Sequence, residues 1–135
     1  MKKVGIILFC VFIVATFSYY NYDTTDFSGE WDFEGTDTDF SLTIIQNGTA
    51  ISGTHCSVLY GGKKIDCSID ESDPPSVTGT ASDDDSVIVI FKSTVADKVG
   101  QATIKRISAT QITWNITQEP EGEYFIPKSA TLTKQ

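Results

Sequence analysis

The stretch HCSVLYGGKKIDCS, residues 55–68, gathers the only histidine and two of the three cysteines around Gly61-Gly62. Three chemistries use such residues. A redox dithiol sets its cysteines in a C-x-x-C spacing, which is absent. A zinc site needs more ligands than His55 and two thiolates. A disulfide needs two cysteines that face one another. A hairpin turning at Gly61-Gly62 pairs Tyr60 with Lys63, Val58 with Ile65 and Cys56 with Cys67. Facing residues of an antiparallel pair lie about 4.5–5.5 Å apart at Cα, which a disulfide accepts. The spacing therefore predicts a structural Cys56–Cys67 staple closing a short loop, worth about 2–3 kcal/mol.

The remaining reactive side chains form no such pattern. His55 lacks the sequence partners of a catalytic triad, a two-histidine metal site or a proton relay, and reads as a side chain beside a bend in a strand. Asp83-Asp84-Asp85 lacks the alternation of a D-x-D-x-D-G calcium loop and reads as a solvated hairpin tip. Asp37, Asp39, Asp70, Glu71 and Asp73 read as loop acids, with no pair singled out for glycoside chemistry. The expectation is a chain with no catalytic residues, no metal, no cofactor and no enzymatic activity.

The ends decide the redox setting. Met1-Lys2-Lys3 opens a charge-free apolar run from Val4 to Phe17. It suits a secretory signal better than a membrane span of about 20 residues. Residues 1–18 are predicted to be a signal peptide cut after Ser18, with an uncleaved anchor through Tyr19-Tyr20-Asn21-Tyr22 as the alternative and the only route to a membrane. Cys10 lies inside the apolar run behind bulky Phe9, so it reads as part of the signal and not as a lipidation site. The chain then sits outside the cytoplasm (periplasmic, cell-surface or secreted), where disulfides form.

Losing residues 1–18 removes two lysines from a chain of formal charge −8, leaving −10. Such acidity opposes nucleic acid and anionic membranes and suits a soluble domain or a cationic partner. Two sequons, at Asn47 and Asn115, are discounted, because Asn47-Gly48 is a turn signal and the Lys-Lys leader has a bacterial character.

The elements that must hold these residues are strands. Alternating apolar and polar residues recur in EWDFE, DFSLTIIQ, KKIDCSI, GQATIKRI and TQITWNIT, while SVIVIFKS is apolar on both faces. After residues 19–25 as a short lead, residues 26–135 are predicted to form one all-β domain: an antiparallel meander of about eight strands closed into a small barrel. Trp31, Phe33, Leu42, Ile44, Ile65, Val89, Phe91, Ile104, Ile112 and Trp114 face its core, with Ile88 and Ile90 against a second layer or on the exterior of the barrel wall. If Asn47-Gly48 is a two-residue turn, Leu42 faces Gly53 and Ile44 faces Ile51. Odd positions then point inward at Ile51, whereas Cys56 and Val58 must be inward to match Cys67 and Ile65. That change of phase predicts a β-bulge near Gly53, and it sends Asp66 outward.

FSGEW followed by FSLTIIQNGTAISGT, within residues 27–54, resembles the opening of calycin-type barrels, the lipocalin- and avidin-like group, in which a Gly-x-Trp marks the first strand. The tryptophan-rich strands that wrap biotin in avidins have no counterpart here. The resemblance implies the fold and a pocket at the barrel's open end.

Two functions follow as expectations. In the first, the exported domain is a non-catalytic module holding a small apolar or amphipathic ligand, with Trp31, Tyr60, Trp114 and Tyr124 as contacts. In the second, it is an inhibitor or immunity protein whose acidic loops (Asp37, Asp39, Asp83, Asp84, Asp85) meet a basic protein. A deep apolar cavity above about 300 Å³ favours the first. A filled barrel with its acidic loops gathered at one end favours the second.

Overall fold

A computed structural model describes residues 26–68, 70–81 and 85–135. The expected signal, anchor and lead segments, Cys10, Ile69, Asp83 and Asp84 lie outside the described residues. Nine strands follow in order: β1 (Gly29–Glu34), β2 (Thr38–Asn47), β3 (Ala50–Leu59), β4 (Lys64–Cys67), β5 (Val77–Ala81), β6 (Ser86–Lys92), β7 (Val99–Ser108), β8 (Gln111–Gln118) and β9 (Ser129–Lys134). A 3₁₀ turn, Tyr60–Gly62, joins β3 to β4.

The strands close into an antiparallel barrel. Neighbours run β1–β2–β3–β5–β6–β7–β8–β9, and β9 returns to β1 through Trp31 opposite Lys134. β4 and β5 share one edge of β3. β5 takes Ala50 to Gly53 and β4 takes Cys56 to Leu59, so nine strands fill eight positions. Alternation puts Val87, Val89 and Phe91 of β6 inside, while Ile88 and Ile90 face outward.

The interior is filled with side chains. Trp31, Trp114, Phe27, Phe40, Phe91, Leu42, Ile104, Ile112 and Leu132 are all buried. The Trp114 ring lies 5.4 Å from Phe40 and 5.2 Å from Phe91, centroid to centroid. Each end has a stopper. At the end of the Gly48 and Thr110 turns, buried Phe27 accepts a hydrogen bond from Trp31 Nε1 at its carbonyl and donates its amide to Gln46. At the other end, the segment 119–128 between β8 and β9 crosses the mouth. Its Ile126 is buried, and the carbonyl of Pro127 accepts from Trp114 Nε1 at 3.0 Å.

The hairpin register follows the sequence symmetry: Cys56 faces Cys67, Val58 faces Ile65, and the Cys56–Cys67 disulfide is formed. The expected bulge is not there. β3 pairs with β2 without interruption from Ala50 to Leu59, and Ile51, Gly53, His55 and Ser57 all face inward. Its turn residues are Gly48 and Thr49, with Asn47 opposite Ala50, so Ile44 faces Gly53 and Leu42 faces His55. Gly53 serves a close approach instead: a Cβ there would stand 2.2 Å from the Thr43 carbonyl oxygen.

With no change of phase, the β4 pattern inverts. Asp66 points inward and is fully buried, while Ile65 is 53% exposed. The expectation failed because it required the inward side to be apolar, and at this place the barrel wall is lined by polar side chains. Phe33, also expected in the core, is only partly buried against it.

Candidate functional site

The inward polar side chains meet where β3 changes partner. Between Gly53 and Cys56 the edge of β3 has left β5 and not yet reached β4, so the His55 backbone needs other partners. Ser76 Oγ accepts from the His55 amide at 3.2 Å, and the Ser68 amide donates to the His55 carbonyl at 2.8 Å. The His55 ring then bridges inward, with Nδ1 2.8 Å from Ser76 Oγ and Nε2 3.0 Å from Asp66 Oδ1.

Asp66 is the hub. Besides His55 it accepts from Ser93 Oγ (2.6 Å), the Thr94 amide (2.8 Å), Thr94 Oγ1 (2.9 Å) and the Phe125 amide (3.2 Å). Three segments distant in sequence thus end on one carboxylate. Burial pushes its pKa up, but the hydrogen bonds from His55, Ser93, Thr94 and Phe125 outweigh that and hold the carboxyl well below its ordinary range. The Phe125 carbonyl in turn accepts from Ser57 Oγ at 2.6 Å. Among the described residues, no buried side-chain nitrogen or oxygen lacks a partner.

Ser76, His55 and Asp66 stand in the order of a nucleophile, a base and its orienting acid, a constellation that the sequence did not reveal. Its bonding pattern is that of a joint. With the carboxylate taking the Nε2 proton, Nδ1 accepts from the Ser76 hydroxyl, while the same oxygen accepts from the His55 amide. Acyl transfer also needs free donors aimed at a developing oxyanion. The nearby amides are engaged: His55 N by Ser76, Lys92 N by the Ser76 carbonyl and Thr94 N by Asp66.

The residues expected to contact a ligand or partner are dispersed. Trp31 and Trp114 are completely buried at opposite ends of the barrel. Tyr60 is exposed at the β3–β4 turn. Tyr124, on the segment over the mouth, donates to Glu119, and its pKa is pushed up to about 12 by burial and then by that carboxylate. Asp37 and Asp39 lie at the mouth end, while Asp85 lies at the opposite end, before β6. The acidic loops are therefore not gathered at one end.

Open depressions lie on the outer wall instead. The largest described, about 480 Å³, runs between the outer faces of β1–β3 and the β4–β5 loop. Carboxylates of Glu30, Asp70, Glu71 and Asp73 surround it, Ile45 (58% exposed) and Pro75 give it apolar surface, and no lysine or arginine among the described residues lines it. Asp70 is fixed by accepting from the Ser72 amide and hydroxyl, which lowers its pKa. A second groove, about 300 Å³, lies on the other side of the same loop, and Asp73 and Pro75 line both.

Sequence reasoning named Asp70, Glu71 and Asp73 only as loop acids, and missed Glu30, Asp66, Ser76 and Ser93. One signal was present: continuing the parity of Ile51 along β3 turns His55 and Ser57 inward, and the hairpin symmetry then carries Asp66 with them. In comparisons with known proteins, no family model, curated protein or solved structure matches the chain.

Proposed function

We propose that the protein is an exported, non-catalytic binding module of calycin-like architecture whose working surface is the outer acidic groove, and that its partner is a basic protein segment. The observation that carries this reading is the groove between β1–β3 and the β4–β5 loop, with its four carboxylates, exposed Ile45 and, among the described residues, no cationic side chain. An extended segment alternating basic and apolar residues matches it: the cations meet the rim and an apolar side chain covers Ile45. Charge complementarity would speed that encounter and select the partner.

A small apolar ligand inside the barrel has less support, because the space it needs holds Trp31, Phe40, Phe91 and Trp114 and both ends are stoppered. The Cys56–Cys67 disulfide and the Lys2-Lys3 leader with its apolar run support an oxidising compartment outside the cytoplasm.

The test is affinity capture from an envelope extract at low and high salt, with two charge-reversed variants beside the parent. A partner retained at low salt, released as salt screens the charges, and lost with Glu71→Lys/Asp73→Lys but kept with Asp37→Lys/Asp39→Lys supports the reading. A partner indifferent to the groove variant contradicts it.

A further inference from the structure

We propose that the Cys56–Cys67 disulfide is a redox latch for the 119–128 segment: its reduction by a dithiol frees β4, withdraws Asp66 from Phe125, and opens that end of the barrel. This inference stands independently of the outer groove.

β4 is four residues long, is paired only to β3, and buries no apolar side chain; Asp66 is its one buried residue. What retains it is a short edge ladder, the disulfide, the Asp66 hydrogen bonds and the Lys64 ammonium, which lies 5.0 Å from the centroid of the Phe125 ring. A four-residue edge strand that buries no apolar side chain gains little from the hydrophobic effect, so the staple bears a large share of the hold. The disulfide flanks both halves of the polar joint, since Cys56 follows His55 and Cys67 follows Asp66.

The remaining links run outward from Asp66. Its Oδ2 receives the Phe125 amide, and Ser57 Oγ, on the residue next to Cys56, donates to the Phe125 carbonyl. These two bonds tie the 119–128 segment to the wall four strands around the barrel from β8. Asp66 also receives Ser93 and Thr94, which hold the β6–β7 loop. A buried carboxylate and its donors come apart together, because leaving any of them unpartnered is costly. β4, residues 93–98 and residues 119–128 therefore form one opening unit, while β7 and β8, buried through Ala102, Ile104, Ile112 and Trp114, stay closed.

A reductant has access. Both cysteines are half-buried on the outward side of the hairpin, and Cys56 borders an open depression of about 230 Å³ with Asp32, Phe33 and Asp39. One thiolate of the dithiol attacks a cysteine sulfur, the second resolves the mixed disulfide, and two protein thiols and one cyclic disulfide result.

The experiment is amide hydrogen exchange on the exported chain, oxidised and after treatment with dithiothreitol, with reduction verified by thiol counting. Exchange over 119–128 and 93–98 is expected to rise at least tenfold while β7 and β8 are unchanged. Cys56→Ser/Cys67→Ser should reproduce this without reductant, and Asp66→Ala should reproduce the 119–128 effect with the disulfide intact. Trp31→Phe leaves Trp114, bonded to Pro127, as the sole indole, and its emission should shift on reduction. Unchanged exchange over 119–128 after verified reduction, uniform exchange across all strands, or a disulfide that dithiothreitol cannot reduce in the folded protein would each overturn the proposal.

Discussion

The Phe125 amide donates to Asp66 Oδ2 at 3.2 Å across 59 positions of sequence, joining the segment over the barrel's mouth to a four-residue edge strand. One buried carboxylate thereby holds together parts of the chain that share no strand pairing. That relationship sets the stability of this end of the molecule.

Replacing Asp66 with alanine leaves the donors of Ser93, Thr94 and Phe125 facing an apolar gap. Each buried donor left without a partner costs about 1–3 kcal/mol. Thermal unfolding of Asp66→Ala should fall by roughly 10 °C or more, and that of Asp66→Asn by less, since the amide oxygen still accepts. A variant with parental Tm would remove Asp66 from its central position.

Acid should act through the same group. Its folded-state pKa lies below that of the unfolded chain, so its stabilising effect is complete above about pH 5 and is lost as the pH falls below about 4, towards the folded-state pKa. Urea unfolding from pH 6 to pH 2 should show a steeper acid limb for the parent than for Asp66→Asn. Parallel limbs would contradict the assignment.

Ser76 should be inert. Its hydroxyl is committed to His55 in both directions, so a fluorophosphonate probe should not label it. Ser76→Ala should cost about 1–2 kcal/mol, measured by denaturant unfolding, because the His55 amide and ring nitrogen lose their partner. Stoichiometric labelling that disappears in His55→Ala would instead establish a nucleophile.

At Gly53 a methyl group would meet the Thr43 carbonyl oxygen at 2.2 Å, within an unbroken β2–β3 ladder. Gly53→Ala should therefore destabilise by roughly 2 kcal/mol or more. At Gly48, where φ is 61° and no atom lies within 4 Å of an added Cβ, alanine meets backbone strain alone; its cost should be about 1 kcal/mol. Chemical denaturation of the two variants separates close approach from turn strain.

Much of the barrel was legible because alternation is a local signal. Val87, Val89 and Phe91 inward with Ile88 and Ile90 outward can be read from five consecutive residues. The Cys56–Cys67 pairing was legible from the symmetry of a single hairpin. The polar joint was not. It depends on Ser76, Ser93, Thr94 and Phe125 arriving from three separate segments, and no pattern within β3 or β4 announces them. Apolar Val58 and Ile65 then argued for the wrong face. The acidic groove escaped notice for a related reason: Glu30 and Asp70 to Asp73 come together only because the barrel closes.

The most direct test of the functional reading is an NMR titration of the ¹⁵N-labelled protein with an extended peptide alternating lysine and leucine, at low salt. The account predicts saturable amide shifts confined to Thr43, Ile45, Ser52, Thr54 and residues 70–73, lost in Glu71→Lys/Asp73→Lys. Shifts centred instead on Phe40, Phe91, Trp114 and Phe125, or spread equally over Asp37, Asp39 and Asp85, would contradict it.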